Sequence, residues 1–345
     1  MSDERQRSAL VELVLARWRS FYREPGVLFW SFGFPIVIAI ALGVAFRDRA
    51  PSPVNVAVVG DAGDTLTTLR AEPDVAALPM DERDARRALR TGKVDLVVVP
   101  GSPPVYELDP TRIEARYARA IVDAHLQRAA GRRDVIHPRD APVIEPGSRY
   151  IDFLVPGLLG TGLMQGGLWG VGYVIVEMRT RRLMKRLLAT PMKKREFLLA
   201  FVLARALFLI VELPILVGFA ALVFRVPVSG SLFLLATVAV LGSLSFAGLG
   251  LLVASRAENV QTASGLINVA SMPMLITSGT FFASSRFPDS IQPLIQALPL
   301  TALNDALRAV MLDGKGVSGI AVELAILLAW GVGSFALALK IFRWR

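Results

Sequence analysis

Glu212 is the residue in this 345-residue chain that asks most of its surroundings. It lies near the middle of an apolar run, 197–224, two residues ahead of Pro214. An ionised carboxylate in such a run is costly unless it is paired, hydrated or protonated, so it serves either a transport pathway or an ion pair. Arg205 stands seven residues earlier, two helical turns away and hence on the same face. A packing ion pair and a pathway carboxylate therefore stand as equal readings. Gln165 in an earlier run, and Gln261, Asn268 and the Met272-Pro273-Met274 kink in a later one, are the other groups able to line a cavity. For each of these alone the plainer reading is an interhelical hydrogen bond or a flexible gap-filler.

Signatures of enzymatic chemistry are missing. No G-x-x-x-x-G-K-[ST], H-E-x-x-H or G-x-S-x-G occurs, and Gly314-Lys315-Gly316 lacks both the leading glycine and the hydroxyl residue of a phosphate loop. "VVGDAG" (58–63) lacks a third glycine and the Lys-Ser/Thr pair, so it reads as an ordinary strand–turn–helix. "GTGLMQG" (160–166) imitates a dinucleotide fingerprint but sits inside an apolar run with no strand before it. His125 and His137 are the only histidines, and with no ligand pattern around them in sequence they are expected to be structural rather than metal ligands. Cysteine is absent, which excludes disulfides, thiolate metal sites and thiol catalysis. No metal, catalytic residue or cofactor is expected on this chain.

The elements that hold these groups are membrane spans. With 53% hydrophobic residues and a mean hydropathy of +0.51, the chain is too apolar for an ordinary soluble protein. Six segments are long enough to span, near 26–46, 151–177, 197–224, 231–254, 261–283 and 317–341. Residues 1–25 predict an interfacial amphipathic helix, with Leu10, Val11, Val14, Leu15, Trp18, Phe21 and Tyr22 at helical spacing between arginines. They show no cleavable signal pattern. Residues 47–149 carry sixteen basic and sixteen acidic side chains, and read as a folded α/β domain with strands at 54–59 and 94–100. Residues 284–316 are too broken by proline to span and too apolar for a free loop, which predicts short helices dipping into the outer leaflet. Gly162, Gly166 and Gly170 repeat every fourth residue and predict a flat ridge for close helix approach, with packing inside the chain and a subunit interface as equal readings. The fold class is thus a polytopic α-helical membrane protein of six transmembrane helices, with an α/β domain inserted on the outer side between the first and second.

The formal net charge of +9 lies beside the membrane. Between Arg179 and Arg195 there are eight basic residues, and the N-terminal helix, the turn with Arg256 and the tail with Lys340, Arg343 and Arg345 share their side of the bilayer. By the positive-inside rule both termini are cytoplasmic and 47–149 lies outside. No basic folded domain with groove-reading elements is present, so nucleic acid is not an expected partner. The basic segment 178–196 also has an internal pattern. Leu183, Met184, Leu187 and Leu188 form an apolar stripe among Arg182, Lys185 and Arg186, and Ala189-Thr190-Pro191 ends it. A short helix of that kind is what a cytosolic partner can grip, while the charge itself anchors to anionic lipid.

In its order of elements the chain resembles ABC-2 type permeases, the membrane subunits of ATP-binding-cassette exporters. The resemblance covers the whole chain and is most specific at Leu187-Leu188-Ala189-Thr190-Pro191 and at Leu298-Pro299-Leu300-Thr301 with Asp305 and Arg308. It implies that residues 182–191 form the coupling helix docked on an ATPase, and that Pro299, Thr301, Asp305 and Arg308 belong to short outer helices that close the exit. Many members have acidic residues and Gly-Thr ahead of the leucines, where this chain has Arg181, Arg182 and Leu183. The resemblance further implies two ATPase subunits carrying ATP and Mg, a second permease copy or paralogue, and export of a hydrophobic or amphipathic substrate. The excess of Arg over Lys fits a GC-rich bacterium and hence its inner membrane. Two rivals are a receptor whose outer domain senses a ligand and an ion-coupled carrier using Glu212. The first predicts a cytosolic output domain beyond the short loop 178–196, and the second predicts more intramembrane carboxylates or inverted repeats.

Overall fold

The computed structural model describes residues 9–23, 25–45, 53–60, 63–133, 136, 147–183 and 194–341. The chain divides into two compact units, 1–47 with 144–345, and 48–143. In the first unit α1 (Ala9–Arg23) is followed by a short turn, Pro25–Leu28, a π-helical turn, Phe29–Gly33, and α2 (Phe34–Ala45). The span expected at 26–46 is therefore not one regular helix. Pro35 has no N–H to return to the preceding turn, and the widened turn falls just ahead of it.

The 48–143 unit is a four-stranded sheet with helices on both faces. Its elements are β1 (Val54–Val59), α3 (Gly63–Arg70), β2 (Val75–Met80), α4 (Glu82–Thr91), β3 (Leu96–Val99), β4 (Val105–Glu107) and α5 (Ile113–Ala129). The strand order is β2-β1-β3-β4, with β1 parallel to both neighbours and β4 antiparallel. Alternation along the strands sends Val56, Val58, Leu96 and Val98 to a core with Leu69, Ala118 and Val122, and sends Ala57 and Val97 to Ala85 and Ala88 of α4. Two strands more are present than sequence patterning predicts. Pro79 is tolerated in β2 because that strand lies at the sheet edge.

The first unit resumes with α6 (Tyr150–Thr180), α7 (Lys194–Phe224), α8 (Leu232–Arg256), α9 (Val260–Thr277), α10 (Gln292–Gln296), α11 (Pro299–Met311) and α12 (Ala321–Ile341). Among the described residues four helices are long and apolar enough to cross a membrane: Tyr150–Thr180, Leu199–Phe224, Leu232–Arg256 and Val317–Ile341. α9, expected as the fifth span to residue 283, stops at Thr277 and is too polar to count with them. Beyond it Ser278 leaves the helix, and Gly279 takes a left-handed backbone, φ +73°, that a side chain strains. Ser231 and Asn259 cap α8 and α9 by accepting from the amides of Leu234 (3.4 Å) and Thr262 (2.8 Å).

α8 is the centre of this unit. Phe246, Leu235 and Val238 are wholly buried, in one core with Leu154, Met164 and Leu168 of α6 and Leu300, Leu303 and Leu307 of α11. Small residues permit the approach. A Cβ on Gly172, in the π-helical turn Leu168–Tyr173 of α6, would lie 2.7 Å from the Gly250 carbonyl oxygen, and Gly248 faces the Ser334 hydroxyl of α12. The tightest α6–α8 contact thus uses Gly167, Gly172 and Gly250.

Candidate functional site

Three polar sites interrupt the apolar packing. The first lies where α6 ends. Arg179 Nη1 donates to the Ala257 carbonyl at 2.8 Å, fixing the end of α6 to the α8–α9 turn, and Arg181 pairs with Glu177 at 2.8 Å. Arg182, with φ +58°, breaks the helix, and both it and Leu183 are exposed. The other residues expected to form the coupling helix, Met184, Lys185, Arg186, Leu187, Leu188, Ala189, Thr190 and Pro191, lie outside the described residues. α7 resumes at Lys194, and its Phe197 and Phe201 are buried with Val171, Ile175 and Val176 of α6 and Leu251 and Ala254 of α8. Helix α1 is clamped onto the same end. Arg17 lies 4.6 Å over the Phe201 ring and donates to the Gly170 carbonyl at 3.1 Å, while Trp18 stacks on Phe208 at 5.3 Å.

The second site is in the interior. Arg205 Nη1 donates to Glu212 Oε2 at 2.6 Å, with both side chains 5% exposed or less. The glycine ridge of α6 makes the room. Any Cβ on Gly166 would strike the Arg205 guanidinium, and one on Gly162 would lie 3.7 Å from Glu212 Oε1. Gly170 faces open space and contributes only its carbonyl, to Arg17. Arg205 Nε and Nη2 and Gln165 Oε1 are buried without a hydrogen-bond partner among the described residues. Asn268 and Met272 sit on the exposed face of α9. The structure therefore does not gather Gln165, Glu212, Asn268 and Met272 into one cavity.

The third site surrounds α11. Pro299 opens the helix at its first turn, where a missing N–H costs nothing, and Pro299, Thr301 and Asn304 are buried. Arg308 covers the Phe153 ring at 3.8 Å, donates to the carbonyls of Phe153 and Gly279, and reaches Asp305 at 3.5 Å. Asn304 Nδ2 donates to the Ser278 carbonyl at 2.8 Å and to Thr280 Oγ1 at 3.3 Å. Thr280 meets Thr161 Oγ1 at 3.2 Å, and the Tyr150 hydroxyl donates to the Phe281 carbonyl. The segment after α9 is thereby pinned between α6 and α11. Gly157 and Gly160 admit it, since a Cβ on Gly157 would lie 2.7 Å from the Thr280 carbonyl oxygen and one on Gly160 would strike Asn304 Oδ1. Sequence reading named Thr301, Asp305 and Arg308 but missed Asn304, a polar residue on an otherwise apolar buried face beside Leu300 and Leu307.

These features define a multi-pass membrane protein whose buried polar groups tie helices together. Over residues 25–340 the chain matches the family described as "ABC-2 family transporter protein", and it belongs to that family. Its class is the permease, and permeases of this family function with ATPase subunits. It is similar to "ABC transporter G family member 20" of Dictyostelium discoideum, 28% identical over 189 residues, or 54% of this chain and 26% of that protein. It is 32% identical to "Nodulation protein J" of Bradyrhizobium diazoefficiens over 109 residues, or 32% of this chain and 41% of that one. It is 24% identical to "Probable multidrug ABC transporter permease YbhS" of Escherichia coli over 181 residues, or 52% of this chain and 48% of that one. The matched stretches span less than half the length of each of these relatives.

Proposed function

We propose that this chain is the membrane-spanning subunit of an ATP-driven exporter, moving a hydrophobic or amphipathic substrate outward with energy from a separate ATPase. The observation that carries this reading is the join of α6 to the α8–α9 turn through Arg179 and Ala257. In sequence the rest of the basic segment 178–196 follows this join, so in this reading a push on the segment is passed through Arg179 to α6 and the α8–α9 turn. Six crossings follow if residues 25–45 and α9 span beside the four long helices. Hydrogen bonds at the opposite end fit such an alternation. Arg149 Nη2, before α6, donates to the Arg225 carbonyl after α7, and the Ser229 amide to the Met311 carbonyl. With the basic segments inside, both termini are cytoplasmic, the α/β unit is outside, and α10 and α11 lie at the outer leaflet.

In this reading two ATPase subunits, which hold ATP and Mg, act on two permeases, this chain with a second copy or a paralogue, in a bacterial inner membrane. Residues 182–191 receive the motion, and α11 with Pro299, Thr301, Asp305 and Arg308 closes the outer end. A substrate is driven only through its different affinity for the two states. The carrier alternative loses its principal support, because Glu212 is already neutralised by Arg205. The test is reconstitution with the ATPase subunit. Charge reversal at Lys185 and Arg186 is expected to abolish ATPase capture and ATP-dependent transport, and transport that persists without any nucleotide-hydrolysing partner overturns the reading.

A further inference from the structure

In the α/β unit His125 is a buried imidazole set between two carboxylates from a different part of the chain. It projects from α5, whereas Glu72 and Asp74 belong to the turn between α3 and β2. That turn is fixed by its backbone, since the Val54 amide donates to the Asp74 carbonyl at 2.9 Å and the Val75 amide to the Glu72 carbonyl at 3.3 Å. Both Asp74 oxygens lie at His125 Nε2, at 3.0 and 3.2 Å. An ionised carboxylate only accepts, so Nε2 carries the hydrogen and the lone pair of a neutral ring resides on Nδ1. Nδ1 is buried in a side chain 10% exposed, has no hydrogen-bond partner among the described residues, and lies 3.3 Å from Glu72 Oε1. When the ring is neutral, its Nδ1 lone pair faces a carboxylate oxygen at that distance, an arrangement that a proton or a metal cation between the two atoms relieves.

We propose that His125 Nδ1 and Glu72 Oε1 are ligands for a zinc-like divalent ion, with Asp74 orienting the imidazole from behind. Zinc bonds of about 2.0–2.2 Å meeting at a tetrahedral angle separate a nitrogen and an oxygen ligand by roughly 3.4 Å, close to the observed gap. The Asp74–His125 pair is the carboxylate–histidine arrangement that fixes the tautomer and ring direction of a metal ligand. Glu72 and Asp74 side chains are 39% and 46% exposed, so solvent or an external donor completes the shell and the site stays open. A nitrogen ligand selects against magnesium and calcium, which take oxygen.

The test is calorimetric titration of Zn²⁺ into the full-length chain in detergent, with Mg²⁺ as the contrast. Wild-type protein is expected to bind one Zn²⁺ per chain. His125→Gln and Glu72→Gln are each expected to weaken binding at least about ten-fold, and Asp74→Asn by about 10–100-fold, while His137→Ala changes nothing. Should His125→Gln impair folding, Glu72→Gln carries the test, its thermal midpoint measured with and without Zn²⁺. The proposal requires that Zn²⁺ raise the midpoint of the wild type and not of this variant. No saturable Zn²⁺ binding, binding that Glu72→Gln leaves intact, or an equal response to Mg²⁺ overturns it and leaves a proton shared between imidazole and carboxylate as the occupant.

Discussion

Asn304 and Ser278 are joined by a 2.8 Å hydrogen bond between a fully buried side chain of α11 and the carbonyl just past the end of α9. That bond replaces the helical partner the Ser278 carbonyl lost when the chain turned at Gly279. Asn304→Ala leaves the carbonyl unsatisfied in an apolar bundle, at a cost of about 1–3 kcal/mol, visible as a lower thermal midpoint in detergent. Gly160→Ala thrusts a methyl group at Asn304 Oδ1 and destabilises by a similar about 1–3 kcal/mol. The two effects are expected to be strongly non-additive, because Asn304→Ala removes the atom with which the methyl collides. A double-mutant cycle measures this, and simple additivity contradicts the geometry.

Arg205 and Glu212 neutralise each other, and the prediction follows from what each becomes alone. Arg205→Ala or Glu212→Gln leaves a charge without its partner inside the bundle and is expected to cost about 3–5 kcal/mol. Replacing both by Leu and Met removes the charge altogether and is expected to be milder than either single change. Expression yield and thermal stability of the four proteins give the order. If Glu212→Gln instead leaves stability untouched and only transport falls, Glu212 works as a pathway group.

Much of this architecture is legible from hydropathy. α6, α7, α8 and α12 announce themselves because a long apolar run has few alternatives, and a spacing of two helical turns on one face offers the Arg205–Glu212 pair as one of two equal readings, between which only the folded chain supplies the 2.6 Å contact. What is not legible depends on distant chain. The end of α9 at Thr277 coincides with the local stop Ser278-Gly279, and the segment beyond it is held by Asn304, Arg308 and Thr161 from other helices, contacts that no local pattern announces. β2 and β4 are edge strands, the first interrupted by Pro79 and the second only three residues long, so pairing rather than composition defines them. Glycines 162 and 166 read as a helix-packing ridge, and only the folded chain shows an ion pair lying against them. His125 and Asp74 stand 51 residues apart, so their meeting exists only in the tertiary fold.

Stability of the α/β unit should depend on pH through β4. Arg86 holds Glu107 by two hydrogen bonds, 3.0 and 2.7 Å, and these, more than the Coulombic attraction and against a smaller opposing effect of burial, depress the carboxyl below its ordinary range. A group whose pKa is lower in the folded state binds fewer protons there, so its contribution is present above the unfolded pKa and is lost as pH falls through the folded one. Thermal midpoints between about pH 5 and pH 3 are expected to fall less steeply in Glu107→Gln and Arg86→Ala than in the wild type. Parallel slopes in all three contradict the pairing.

Arg179 offers the sharpest separation of binding from transmission. It ties α6 to Ala257 at the start of the basic segment, so Arg179→Ala keeps the residues 182–191 proposed to meet an ATPase and removes the polar tie to the α8–α9 turn, leaving the apolar packing of Ile175 and Val176 against Ala257 and Ala263. A charged donor on a buried carbonyl contributes about 1.5–3 kcal/mol, equivalent to roughly a ten- to hundred-fold change in the population of the attached state. The variant is expected to co-purify with the ATPase as the wild type does, while substrate stimulation of ATP hydrolysis falls by about ten-fold or more. Charge reversal at Lys185 and Arg186 should do the opposite and abolish co-purification itself. If Arg179→Ala loses the ATPase as completely as the charge reversal does, Arg179 belongs to the docking surface. If it loses neither, force enters the bundle by another route, and the α1 clamp at Arg17 and Phe201 is the next candidate.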